Sequence, residues 1–399
     1  MPQHATRATA RVINRRLVLE VVRRFQPLSR ADVARRLGLR RGMVTVIVDE
    51  LIANRAIRVG ATVDAPRGRR PQMLYVRTLD RLALAVDVRS SRTHLMLSDF
   101  SGTALAMETF DSVTDPAEVV AEVAPRIARL LAEHRATGRC EGIGLVIPGM
   151  VDHQTGRVLN APQLGWKNVD FRDRLAAATG LPVYIENAPI ACALAQLWLG
   201  QRGETGPTDF VYVTVSDGVG AAVVVNGEVV RGAGNTAGEF GHIPLNIEGP
   251  RCLCGAQGCL ESYTSNLATL SRYLGHEFSP TETRTLLQSS AITIEDLIAR
   301  ARADDLRARD AIDETARFLG LGLAVIINAV NPSQIFVGGE ITAAWDRIEP
   351  TLRAAIGTRV LTQAAEETPI IPDPAAAYPR LRGGTALVAA REFAAPRVA

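Results

Sequence analysis

The sequence predicts an α/β protein of two unequal parts: an N-terminal winged helix-turn-helix over residues 1–78 and a two-lobed body over residues 79–399. Three observations predict it. Charge is divided along the chain: the first 81 residues hold 18 arginines against 6 acidic residues, so a net +12 head precedes a body that brings the total down to +3. Near the start, short helical patterns are separated by a glycine turn. Further on, a strand-turn-strand pattern occurs twice. A chain of 399 residues exceeds one ordinary domain, and 47% apolar with 22% charged residues is a globular rather than a disordered balance. The opening residues lack the basic-then-apolar texture of a secretory leader. The longest apolar stretch, Leu319–Val330, is too short to span a bilayer. The expectation is a cytoplasmic protein with no membrane partner.

In the head, Val12, Leu17, Val18, Val21 and Val22 recur at helical spacing up to Phe25, and Pro27 stops the run. Ser29 then offers an N-cap with Asp32 in the first turn, and Gly38 suits a left-handed C-cap. A third helix follows over about Arg40–Asn54, burying Val44, Ile47, Val48 and Leu51. Two helices about a tight glycine turn are a helix-turn-helix pattern whose second helix enters the DNA major groove. Arg40, Arg41 and Thr45 lie near its start, off the apolar stripe. Arginine there can pair with guanine or hold a phosphate, and both readings stay open. Strand patterns at Ile57–Val63 and Met73–Arg77 flank a Pro, Gly and Arg turn, which makes a wing with Arg69 and Arg70 at its tip. A head this basic implies a polyanion, here a double-stranded DNA operator.

In the body, Leu82–Val88, Thr93–Asp99 and Thr103–Thr109 read as an antiparallel meander. Phe210–Val215, Gly220–Val225 and Glu228–Arg231 repeat it, and helical patterns at Pro116–Arg135 and Pro189–Leu199 lie between. Two related αβ halves about a cleft are what an actin-like sugar-kinase fold produces.

Five cysteines are too few and too clustered for a disulfide framework. Cys140 and Cys192 sit alone in apolar segments as buried thiols. His242, Cys252, Cys254 and Cys259, by contrast, form an H-x9-C-x-C-x4-C cluster punctuated by Gly249, Gly255 and Gly258. One imidazole and three thiolates suit tetrahedral Zn²⁺, and four protein ligands make a closed, structural site over residues 242–259.

This segment, Gly238-Glu239-Phe240-Gly241-His242 with Cys252-x-Cys254-Gly255-x-x-Gly258-Cys259-x-Glu261, resembles the signature of the ROK family of repressors, open reading frames and kinases. Pro148-Gly149 with Asp152, Leu159 to Pro162, Ile185-Glu186-Asn187, Asn331-Pro332 and Val337-Gly338-Gly339 extend the likeness over essentially the whole chain. The added head resembles the xylose- and N-acetylglucosamine-type repressors. The resemblance implies that Asn160, Asn187, Glu239, His242 and Glu261 bind a sugar or sugar-phosphate effector. It also implies a homodimer or a dimer of dimers.

Two departures argue against kinase activity. A ROK kinase carries Asp-x-Gly-Gly-Thr after its first strand, because glycine lets backbone N–H groups close on ATP phosphates. Here the run is Asp87-Val88-Arg89-Ser90-Ser91. The general base that follows Glu-Asn in the kinases is replaced by Ala188, which cannot accept a proton. The second phosphate loop is altered too, with Ser216-Asp217 ahead of Gly218. The expectation is a carbohydrate-responsive transcriptional regulator without enzymatic activity. A sugar kinase with an appended head and an effector-independent DNA binder are the alternatives. Loss of the Asp at position 188 also removes one sugar contact.

Overall fold

The computed structural model describes residues 7–62, 71–200, 206–276, 282, 285 and 292–393. The expected wing-tip arginines, Arg69 and Arg70, lie outside the described residues.

The head begins with three helices, α1 (Arg7–Phe25), α2 (Arg30–Leu37) and α3 (Arg41–Ala53). Ser29 caps α2 in a reciprocal box with Asp32, and Gly38 ends it in the left-handed conformation at φ 65°. Val18, Val22, Val33, Val44, Val48 and Leu51 are fully buried where the helices meet. The strands β1 (Ile57–Thr62) and β2 (Gln72–Val76) then pair antiparallel, Val59 opposite Leu74. Leu28 bridges to Leu74 and ties the start of α2 to this pair.

The head is not a separate globule. Ala83, Phe100, Val388 and Ala389 of the body belong to the same apolar cluster as the head's valines. Arg23 stacks its guanidinium 4.2 Å from the Trp198 ring centre and donates to the Trp198 carbonyl at 3.2 Å.

The body contains one sheet plan twice. In the first lobe, β3 (Arg81–Val88), β4 (Arg92–Asp99), β5 (Ala104–Asp111), β6 (Arg139–Ile147) and β10 (Val183–Asn187) lie in the order β10-β6-β3-β4-β5. In the second, β11 (Phe210–Val215), β12 (Val219–Val225), β13 (Glu228–Val229), β14 (Gln334–Gly339) and β15 (Ile370–Pro374) lie in the order β13-β12-β11-β14-β15. Each is an antiparallel meander whose first strand then pairs parallel with one later strand, which pairs parallel with a second in turn. Both expected meanders are present. β3 and β11, central in their sheets, are almost wholly apolar and buried, as strands covered on both faces must be.

The first lobe adds α4 (Pro116–Glu133), a small sheet of β7 (Met150–Val151), β8 (Val158–Ala161) and β9 (Trp166–Val169), α5 (Phe171–Thr179) and α6 (Ala188–Leu199). The second adds α7 (Glu261–Thr264), α8 (Asn266–Leu274), α9 (Ile294–Arg302), α10 (Leu306–Val330), α11 (Trp345–Gly357) and α12 (Gln363–Glu366). The long apolar stretch at 319–330 ends α10 and buries one side, Leu319, Leu323, Ile326 and Ile327, in the second lobe, with Val325 exposed on the other. Among the described residues, no helix is long and apolar enough to cross a membrane. The last helix, α13 (Pro379–Phe393), returns to the first lobe and packs on α6, β3 and β6. It comes so close that a Cβ on Gly144 would lie 1.8 Å from the Gly384 carbonyl oxygen.

Candidate functional site: a metal knot beside an interlobe cleft

The loop between β13 and α7 folds back on itself through backbone bridges between Pro244 and Cys259 and between Arg251 and Gln257. Glycine is obligatory at 258, where φ is +70° and a Cβ would meet the Asn246 carbonyl oxygen at 1.5 Å. This fold brings His242, Cys252, Cys254 and Cys259 together, with all four donor atoms within 4.8 Å of one another. His242 Nδ1 is 3.7 Å from Cys252 Sγ, and Cys254 Sγ is 3.7 Å from Cys259 Sγ. A disulfide needs about 2 Å between sulfurs, whereas ligands on a tetrahedral zinc with bonds of about 2.3 Å stand about 3.7 Å apart. Burial pushes the Cys252 thiol up, and that of Cys259 to about 11. Thiolates here need a nearby cation, so the donor set and its spacing fit a metal ion.

The knot forms one wall of an open cleft between the lobes. Asn187, Ala188, Glu239, His242 and Glu261 line it. Asn187 ends β10 and caps α6, its Oδ1 accepting the Ile190 N–H at 3.1 Å, so its amide N–H groups are the part left to donate into the cleft. Glu239 precedes a 3-10 turn that ends at His242, and its carboxylate is 3.9 Å from His242 Nε2. The two ring nitrogens therefore divide: Nδ1 faces the thiols and Nε2 faces Glu239. Burial, opposed by His242 and aided by Glu261, raises the Glu239 pKa.

Glu261 is more committed than a free sugar acceptor. One oxygen accepts the Val219 N–H at 2.9 Å and the other lies 3.3 Å from Cys252 Sγ. Asn160 does not line the cleft. It sits on β8, its backbone paired with Met150 and Lys167, and its carbonyl oxygen is packed under Gly149.

At the other end of the cleft, the two altered loops meet and fill the space between them with charge. Arg89 Nε is 2.8 Å from one oxygen of Asp87, and its Nη1 is 2.6 Å from Glu340 at the end of β14 in the opposite lobe. Arg380 of α13 lies 2.6 Å from the other Asp87 oxygen. Asn266 donates to Glu340 at 3.0 Å, and Ser90 to Asp217 at 3.2 Å. Burial alone would raise Asp87, which is fully enclosed, but Arg380 and Arg89 more than offset it and hold it below its ordinary value. Asp217 is shifted upward by burial and by Glu340. The partners Glu340 and Arg380 were missed by sequence reasoning. In sequence they are an acidic residue after a glycine pair and a basic residue opening a helix, with nothing to couple them to position 89.

Residues 83–390 match the sequence profile of the ROK family. The chain belongs to the ROK family. A xylose repressor from Caldicellulosiruptor bescii is 29% identical over 358 residues, which cover 87% of this chain and 88% of that protein. A glucokinase from Halalkalibacterium halodurans is 31% identical over 242 residues, 60% of this chain and 73% of that protein. Among solved structures, a ROK family transcriptional regulator described as a homologue of E. coli MLC superposes with a TM-score of 0.78 at 28% identity, covering 96% of this chain and 97% of its own. The ROK body is thus shared with kinases, and the match to the regulators extends through the head as well.

Proposed function

We propose that this ROK protein is a carbohydrate-responsive, DNA-binding transcriptional repressor acting in the cytoplasm. In this reading residues 1–78 form a winged helix-turn-helix and residues 79–399 an effector-binding domain without kinase activity. The observation that carries it is the extent of the likeness: the xylose repressor is matched over 87% of the chain, the glucokinase over 60%. The cleft supports the same reading. Arg89 and Glu340 join the lobes where a kinase would admit phosphate, so the guanidinium is committed to a carboxylate and not free for an anion. Ala188, 5% exposed, offers no base for a sugar hydroxyl.

In this reading α3 enters the major groove with Arg40, Arg41 and Thr45 at its exposed start, and Arg69 and Arg70 contact phosphate or the minor groove. A sugar or sugar phosphate is held by Asn187, Glu239 and His242 from the knot side, with Glu261 stiffening the wall and Asn160 supporting the Gly149 turn. His242, Cys252, Cys254 and Cys259 hold a structural Zn²⁺, which supplies rigidity and no chemistry. Effector binding changes lobe closure, and the Arg23–Trp198 seam carries that change to the head. In a homodimer, or a dimer of dimers, this alters the spacing of two heads on an operator.

Genome-wide mapping of bound sites, followed by gel shifts with the sugars handled by neighbouring genes, tests this. Sequence-specific binding released by one sugar is expected. ATP-dependent turnover of a hexose by the purified chain would overturn it. The change at 188 favours one second reading, an effector-independent DNA binder, and calorimetry showing no heat with any sugar or sugar phosphate would establish it.

A further inference from the structure

The exposed face of α3 carries residues that the fold does not require. Its inner side, Val44, Ile47, Val48 and Leu51, is buried against the other head helices. The outward side presents Gly42, Thr45 and Val46, with Met43 at its edge. Val46 is 55% exposed and Met43 44%. Valine is a mediocre helix former because its branched side chain is restricted, and an exposed one buries little. Neither propensity nor packing therefore calls for valine at 46. Gly42 is equally unexplained from within, since a Cβ there would meet nothing within 4 Å. The Thr45 hydroxyl donates to the Arg41 carbonyl at 3.0 Å, which leaves its methyl as the group free to meet a partner. The polar residues nearby are in order for a polyanion: Arg40 and Arg41 are exposed at the helix start, and downstream Asp49 is held by Arg30 at 2.6 Å and Glu50 by Arg11.

We propose that Val46, flanked by the Thr45 methyl and Met43, reads thymine 5-methyl groups on the floor of the major groove, making α3 a thymine-selective reader. This rests on the reading of the head as a DNA-binding module. The thymine methyl is the one apolar group that base pairs present in that groove, and apolar side chains discriminate it. Gly42, one turn earlier on the same face, keeps the helix surface low, so that Val46 can reach the base edges while Arg40 and Arg41 engage phosphate or guanine. The net +12 of the first 81 residues makes DNA, rather than a second copy of this arginine-rich face, the occupant.

The test begins by selecting duplexes from random DNA with the full chain. Each selected thymine is then replaced by deoxyuridine, which removes only the methyl, and affinity is measured at fixed salt. One uridine position in each half-site is expected to weaken wild-type binding about fourfold, the worth of one buried methyl. Val46→Ala is expected to weaken the thymine site by a similar factor and to be indifferent to uridine at that position. Its thermal midpoint and its mass by light scattering are expected to stay unchanged. Uridine without effect at every position, or an undiminished uridine penalty in Val46→Ala, would overturn the proposal while leaving the DNA-binding reading intact. So would a change in oligomeric mass in Val46→Ala, which would mark the patch as a self-association surface. Failure to enrich any duplex overturns the DNA-binding reading itself, and this inference with it.

Discussion

The two ends of the cleft use charge in opposite ways. At the knot end, Glu239 and the amide N–H groups of Asn187 face the cleft, while the Asn187 Oδ1 is taken by the Ile190 N–H. At the loop end, Arg89 hydrogen-bonds Asp87 and reaches across the lobes to Glu340, and Arg380 stands 2.6 Å from Asp87 as an ion pair. One end leaves polar groups facing the cleft, and the other ties its charges to one another.

The sharpest way to break this comparison is to remove the frame of the open end. Cys254→Ser, or removal of metal by a chelator, is expected to lower the thermal midpoint by on the order of 10 °C, because a structural metal site contributes folding free energy. An unchanged midpoint, or less than about one zinc per chain in fresh protein, would remove the knot from the argument. Arg89→Ala attacks the closed end. It leaves Asp87 with Arg380 and Glu340 with Asn266, at a cost of about 2 kcal/mol in denaturant unfolding for the lost charge-assisted hydrogen bonds. A Gly-Gly replacement of Arg89 and Ser90 is expected not to restore ATP binding by calorimetry, since Asp217 and Glu340 remain. Nucleotide binding in that variant would show that the arginine alone closes the site.

The contrast also explains what could be read from the sequence. The knot's ligands lie within one short segment and are residue types with few other uses, so their convergence was legible. Ser29 and Gly38 marked the ends of α2 by local chemistry, and alternating apolar runs marked both meanders. Arg89 was legible only as a missing glycine, because Glu340 is 251 residues away and Arg380 arrives on a helix that crosses back from the other lobe. No local pattern encodes such a pair. The same holds for the seam that merges Ala83, Phe100 and Val388 into the head's core. Asn160 is placed by the motif, and the structure takes its backbone into the small sheet beside Met150 and Lys167, apart from the residues that line the cleft.

A smaller effect tests the open end directly. Glu239→Ala is expected to weaken effector binding by about tenfold or more, the cost of one charge-assisted hydrogen bond, with a midpoint within about 2 °C of wild type because the side chain supports no packing. Equal affinity in the variant would place the effector elsewhere.

Acid should separate the two ends last and most gently. His94 on β4 faces Asp87, Arg89, Arg380 and Arg92, and burial lowers its pKa from 6.5 to about 4, with those arginines lowering it and Asp87 opposing. In the unfolded chain it takes up a proton near 6.5, and in the folded protein it resists until about 4. Its contribution to stability is therefore complete above 6.5 and is lost as pH falls toward 4. Asp87, held low by Arg380 and Arg89 against burial, adds to the loss only below its ordinary value of 3.8. Asp217 runs the other way, since its raised pKa favours the folded state as acid protonates it. Between pH 7 and 5 the midpoint should thus decline through His94, and His94→Gln should flatten the decline by removing the proton uptake of the unfolded chain. A slope unchanged in His94→Gln would mean that the closed end does not govern the acid response of this fold.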